Sequence, residues 1–163
     1  MHLADLAGVL LVARKKRLGD VRLFDLILAA DLPLASCHGI YCFYSCDPVT
    51  CLYVGKVESP QFIERLPSHL SLSDGSWFNQ FMRGIRSECA SFEKAALIAR
   101  ECTLLLIPMP QEFVALAELV LIERLNPKFN KRRPKSGFAS VAHDHAPFGK
   151  ILSAIDAAEE EPN

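Results

Sequence analysis

The sequence predicts an α+β fold with elements in the order β-β-α-α-β-α. Three observations lead there. Residues 39–55 hold two short runs rich in β-branched and aromatic side chains, Gly39-Ile40-Tyr41 and Leu52-Tyr53-Val54-Gly55-Lys56, on either side of a polar turn. Residues 102–107 form a run that is apolar but for Thr103, short enough for a buried strand. Between and after these segments, apolar residues recur at helical spacing.

Taken in order, residues 3–13 (Leu3, Leu6, Leu10) and 20–30 (Leu23, Leu26, Ile27, Ala30) read as two helices, separated by Gly19 and closed by Pro33. They form an N-terminal helical extension, residues 1–35, expected to pack on the sheet and cover an edge or to supply a dimer contact. The core, residues 36–130, opens with the hairpin. Asp47-Pro48 marks its turn, because Asp can accept from the backbone two residues on and Pro fixes φ. If Tyr41 and Tyr53 share a face, paired residue numbers sum to an even value. Cys46 then faces Thr50 and not Cys51, unless a bulge shifts the count.

A short helix over 62–66 is expected after Pro60. Pro67 ends or bends it, so His69 lies either on a loop or on the helix face of Arg65, four residues earlier. Ser76 caps a helix running through Arg86, with Trp77, Phe78, Phe81, Met82 and Ile85 apolar. Another helix spans residues 92–101. The strand at 102–107 should be a central one, ended by Pro108 and Pro110. The last core helix, residues 111–125, carries a wide apolar arc of Phe113, Val114, Ala117, Val120, Leu121 and Leu125. Glu112 and Glu123 fall opposite that arc. Glu118 projects between Leu125 and Ile122, on the buried side. A carboxylate there breaks the pattern, and such violations cluster at functional sites; the alternative is a core Glu paired with an Arg. Residues 131–163 form a basic, then acidic tail with a short helix at 148–158.

Half of the 163 residues are hydrophobic and 23% are charged, a globular composition. The formal net charge is −1, which is unusual for a nucleic-acid binder. However, Asp156, Glu159, Glu160 and Glu161 crowd the C-terminal end, and basic residues cluster at 14–17 and 128–135. Each basic cluster reads as phosphate contacts or as a solvated charge run. No apolar run approaches the ~20 residues of a membrane span. Asp5 and the late basic run do not suit a signal peptide, so the expected setting is the cytoplasm, with no membrane partner. Six cysteines without a Cys-x-x-Cys pair argue for buried or half-buried free thiols over a zinc site.

Gly39-Ile40-Tyr41 and Tyr53-Val54-Gly55 resemble the signature tripeptides of the GIY-YIG nuclease family. Arg65-x-x-x-His69 follows, then a helix with Glu118, Leu121 and Ile122, then Pro127-x-Phe129-Asn130. The resemblance covers roughly residues 38–130. It implies a small three-stranded antiparallel sheet flanked by helices, and a metal-dependent DNA endonuclease that leaves 5′-phosphate and 3′-hydroxyl ends. Under it, Tyr41 would be the general base, and Tyr53 would bond the phosphate or the attacking water; the two roles could be exchanged. A free tyrosine, with pKa ~10, is roughly 0.3% ionised near pH 7.5, so a cation from Lys56, Arg65 or His69 would have to favour the phenolate. Arg65 would neutralise the scissile phosphate, and Glu118 would hold Mg²⁺ or Mn²⁺. Asn130 would orient the backbone or the site. Lys56, Lys128, Lys131, Arg132 and Arg133 would contact single- or double-stranded DNA. The N-terminal helices could then also read DNA, and a twofold dimer would place two sites on opposite strands. The competing class is a non-catalytic nucleic-acid-binding or adaptor module on the same fold.

Overall fold

The computed structural model describes residues 16–20, 37–47, 49–59, 62–70 and 80–131. The two helices expected at 3–13 and 20–30, the Ser76 cap with Trp77 and Phe78, and the tail with Arg132 and Arg133 therefore lie outside the described residues, apart from Asp20 and Lys131. The fold is α+β. Its sheet comprises β1 (Lys16–Arg17), β2 (Gly39–Tyr44), β3 (Cys51–Val57) and β4 (Thr103–Pro108), in the order β1-β4-β2-β3 with every pair antiparallel. Helices α1 (Phe62–Leu70), α2 (Gln80–Ser87) and α3 (Phe92–Glu101) follow the hairpin, and α4 (Gln111–Leu125) follows β4.

The expected three-stranded sheet is present, with one addition. Lys16 and Arg17, from the N-terminal extension, pair with Leu104 and Thr103 as a fourth, two-residue edge strand. Leu18–Asp20 then turn as a 3-10 helix, in place of the expected helix start at Asp20. A short basic edge strand gives little template for a further strand. The middle strand of the three-stranded core is β2, and β4 lies beside it as a buried strand.

Both faces of the sheet are covered, and all six residues of β2 are buried. One face packs on α4 through Ile40, Cys42, Tyr44, Val54, Leu105 and Ile107 against Val114, Ala117, Val120 and Leu121. The other carries Tyr41, Phe43, Tyr53, Leu104 and Leu106 against Phe62, Leu66, Phe81, Ile85, Ala95 and Ala99 of α1–α3. Phe43 stacks on Phe81 at 4.1 Å. Covering both faces is why the strands read as apolar runs and not as alternating ones.

The hairpin register is even from Gly39↔Val57 to Phe43↔Tyr53, so both tyrosines share a face. A bulge then inserts Leu52, and Tyr44 pairs with Cys51. Beyond it, the Ser45 N–H donates to the Thr50 carbonyl at 2.9 Å, so the expected Cys46–Thr50 pairing gives way to Ser45–Thr50. At the turn, the Asp47 carboxylate accepts from the N–H groups of Val49 and Thr50. Cys46 is exposed there, unlike the expected half-buried thiols, and all six cysteines are free.

Helix α1 corrects another expectation. It runs through Pro67 to Leu70. An interior proline costs about 3 kcal/mol. Phe62 and Leu66, both buried, return about 1.5–3 kcal/mol each, and Pro67 itself lies on the exposed side. His69 is thus a helical residue, on the face of Arg65. Helices α3 and α4 have the expected bounds. Ser91 caps α3 by accepting from the Lys94 N–H, and Asn126 closes α4 in the left-handed conformation at φ 44°.

Candidate active site

The sheet face bearing the tyrosines and the helix α1 meet over Gly55. Tyr41 pairs with Gly55 across the hairpin, and its ring lies over the bare Cα. A Cβ on Gly55 would come within 2.2 Å of the Tyr41 hydroxyl and ring, so glycine is what lets the phenol lie flat against β3. Gly39, at φ +154°, is held equally tightly: a Cβ there would meet the Ile107 carbonyl oxygen at 2.1 Å. The glycines of the two tripeptides thus hold backbone positions that no side chain could occupy without a clash.

Tyr41 O–H and His69 Nε2 are hydrogen-bonded at 2.5 Å, and both residues are fully buried. The Tyr53 ring lies 6.2 Å from Tyr41 and 5.1 Å from His69, centre to centre. Arg65 lies one turn before His69 on α1, and its charge acts on Tyr41. Burial pushes the His69 imidazole down to about 3, and the Arg65 charge adds to that. His69 is therefore neutral at physiological pH and cannot be the cation that favours a phenolate. Tyr41 is held far above the ordinary phenol value, first by burial and then by Tyr53, with Arg65 opposing without overcoming them. The expected cation-lowered phenol is not present; burial dominates. Tyr53 is raised as well, by burial and by the Glu118 charge.

His69 Nδ1 is buried without a hydrogen-bond partner among the described residues; in the tautomer whose Nε2 accepts from Tyr41, the imidazole proton sits there. Below pH 6.5 the unfolded chain binds a proton at this histidine that the folded chain refuses until about pH 3. Stability should therefore fall as the pH drops through that window, by up to about 1.4 kcal/mol per pH unit. Melting temperatures of wild type and His69→Asn between pH 7 and 4 check this: the wild-type curve should be the steeper, and parallel curves would show that His69 does not titrate in this way.

Glu118, on α4 at the opposite face of the sheet, acts on the two phenols through its charge. Lys56, two residues on from Val54, points to the α4 face, and its Nζ lies 3.4 Å from Glu118 Oε2 and 3.0 Å from Glu58 Oε1. The partner of Glu118 is thus Lys56, not the arginine of the core-pair alternative, although the Arg65 charge also acts on it. Burial raises the Glu118 carboxyl, and Lys56 opposes that rise. Burial lowers the Lys56 ammonium, but its two carboxylates outweigh burial and leave it raised. Lys56, placed by its sequence among the DNA contacts, is paired with these two carboxylates. Glu118 and Glu58 both acting on one cation suits a hard divalent ion, which binds through one or two carboxylates and fills its remaining positions from water and phosphate. Among the described residues no group of three His, Cys, Asp or Glu side chains forms a fuller metal-ligand set.

Asn130 binds the backbone of β3. Its side-chain oxygen accepts from the Val54 N–H at 2.9 Å and its amide donates to the Val54 carbonyl at 2.8 Å. Lys128 and Phe129 N–H groups donate to the carbonyls of Cys51 and Leu52. Residues 128–130 thus cover the open edge of β3 and hold in place the strand that carries Tyr53, Gly55 and Lys56. Asn130→Ala should cost about 1–3 kcal/mol by stranding both Val54 groups and should speed amide exchange at Val54. Unchanged exchange would show the clamp to be redundant. Lys128 is paired to Glu88 at 2.7 Å, while Lys131 is exposed.

The signal missed in the sequence is Glu58. It follows β3 by one residue and sits two positions from Lys56, but nothing local marks it as a partner of a helix sixty residues away. Comparison with protein-family models, with curated proteins and with solved structures gives no match for this chain.

Proposed function

We propose that this protein is a metal-dependent DNA endonuclease of the GIY-YIG type, cleaving phosphodiester bonds to 5′-phosphate and 3′-hydroxyl ends. The observation that carries the reading is the hydrogen-bonded pair of Tyr41 on β2 and His69 on α1, with Tyr53 of β3 beside it and the charges of Arg65 on α1 and Glu118 on α4 acting on it. Phosphodiester hydrolysis needs a proton acceptor for water, charge stabilisation at phosphorus and support for the leaving oxygen.

The hydrogen bond to His69 suggests how a phenol with a raised pKa takes part. Tyr41 need not ionise. As its oxygen takes a proton from the attacking water, its own proton moves along the hydrogen bond to His69 Nε2, so the imidazole is the final acceptor and the phenol a relay. A phosphate anion against Arg65 would offset the charge that depresses His69, making the imidazole more basic when substrate is bound. Arg65 would bind the phosphate through its planar fork, and Tyr53 would donate to a phosphate oxygen. Mg²⁺ or Mn²⁺ held by Glu118 would supply charge neutralisation at the phosphate and at the departing 3′ oxygen.

A second reading draws on the complete burial of Tyr41 and His69. If that pair is a core contact only, the domain is a nucleic-acid-binding module without turnover. Incubating the purified chain with plasmid and with single-stranded DNA, in Mg²⁺ or in EDTA, separates the two. Cleavage that needs the metal is the expected result; binding without cleavage under any condition would favour the module. If both strands of a duplex are cut, each chain carries one site, so either a homodimer or sequential nicking must follow.

A further inference from the structure

The Tyr41 side chain has no exposure to solvent, and neither has His69. Gly55 backs the phenol, and the rings of Phe43, Tyr53 and His69 surround it at 5.8, 6.2 and 5.0 Å, centre to centre. Neither water nor a phosphate can touch its oxygen in this arrangement, so a neighbour must move. The strand β2 is clamped between β3 and β4. Helix α2 is pinned twice. Phe81 stacks on Phe43 at 4.1 Å, and a Cβ on Gly84 would come within 2.2 Å of the Phe129 ring. Helix α1 is held tightly at its start, where a Cβ on Gly39 would meet Phe62 at 2.9 Å, and Leu66 is buried a turn later. Its last turn is held less well. Pro67 has no N–H to give to the carbonyl four residues earlier. Leu70 is 42% exposed, and His69 Nδ1 lacks a partner among the described residues. The side-chain bonds that hold this turn are Ser68 Oγ–H to the Arg65 carbonyl at 2.6 Å and the Tyr41–His69 pair.

We propose that the last turn of α1, residues 67–70, is a gate over Tyr41, hinged at Pro67 and latched by the Tyr41–His69 hydrogen bond. Opening swings His69 off the phenol and lets a phosphate and its attacking water reach the Tyr41 oxygen. Phe62 and Leu66 keep the rest of α1 docked on the sheet meanwhile. Closure returns His69 to Tyr41 and excludes bulk water, the usual work of a mobile element over an active site. Opening breaks one buried hydrogen bond but hydrates an imidazole that is only half satisfied when closed, so it costs less than unfolding the domain. The inference rests on the nuclease reading for its purpose, but not for its test.

The test is amide hydrogen exchange of the full chain without DNA, read residue by residue by nuclear magnetic resonance. The N–H groups of Ser68, His69 and Leu70 should exchange about tenfold or more faster than those of residues 82–85 in α2. Their rates should also hold steady at denaturant concentrations that speed the α2 amides, the mark of local opening. Pro67→Ala gives the turn its missing N–H and should raise the melting temperature. It should slow exchange at residues 68–70 by about threefold or more and lower kcat/KM for DNA by the same factor, because the state that admits substrate is rarer. A proline with a structural role alone would change stability without that matched loss of rate. Exchange at residues 68–70 through global unfolding only, unslowed exchange in Pro67→Ala, or slower exchange with undiminished kcat/KM would each overturn the gate. Metal-dependent cleavage by a chain whose last α1 turn is as protected as α2 sinks the gate alone. Local opening that Pro67→Ala slows, without any cleavage, sinks the nuclease reading alone.

Discussion

Glu118→Gln is expected to abolish cleavage, by about 10³-fold or more, while the protein stays folded and binds DNA as well as wild type or better. Glutamine keeps the shape of the side chain and removes the charge that would hold the metal, whose stabilisation of the transition state is worth several kcal/mol. The structure limits the cost to the fold. Glu118 faces Lys56, and Lys56 keeps Glu58 at 3.0 Å when Glu118 is neutralised. The pair is partly solvated, so stability should change by no more than about 1 kcal/mol. Melting temperature, DNA affinity and cleavage should be read on the same preparation. A variant that melts many degrees lower, yet cuts at a normal rate per folded molecule, would make Glu118 a structural residue.

Tyr41→Phe should lower cleavage by about 10²-fold or more, the usual scale for a group that moves a proton in the transition state. Phenylalanine retains the ring against Gly55, but His69 Nε2 loses its partner inside the protein. A stranded buried acceptor costs about 1–3 kcal/mol, so a fall of a few degrees in melting temperature should accompany the lost activity. If the hydroxyl relays a proton to His69, His69→Asn should lower the rate on a similar scale, and the double variant should lose little more than either single one. Should Tyr41→Phe cut within about threefold of wild type, the proton does not pass through Tyr41. Tyr53, the more exposed of the two phenols, would then take its place.

Much of the fold was legible along the chain because the signals are local. The bounds of α3 and α4 match the spans read from the sequence, 92–101 and 111–125. The hairpin and its shared tyrosine face follow from two β-rich runs about an Asp-Pro turn. Glu118 stood out because a carboxylate on an apolar arc breaks a 3.6-residue period. Other features are set by contacts between distant segments. The run of α1 through Pro67 is decided by the burial of Phe62, Leu66 and His69. The strand at Lys16–Arg17 exists because β4 offers it an edge.

For the candidate site the division is sharper. The family resemblance nominated Tyr41, Tyr53, Arg65, His69 and Glu118, and the helical pattern singled out Glu118 as well. They could not show that His69 is neutral, that Tyr41 is raised and not lowered, that Glu118 shares Lys56 with Glu58, or that Asn130 clamps Val54. A pKa depends on how much water remains around a group and which charges stand beside it. A partner depends on which backbone segments are brought together. Neither quantity is a property of neighbours in sequence. The sequence by itself therefore determined which groups are available for chemistry. The packing of α1 and α4 on the two faces of the sheet decided their charge states and their partners.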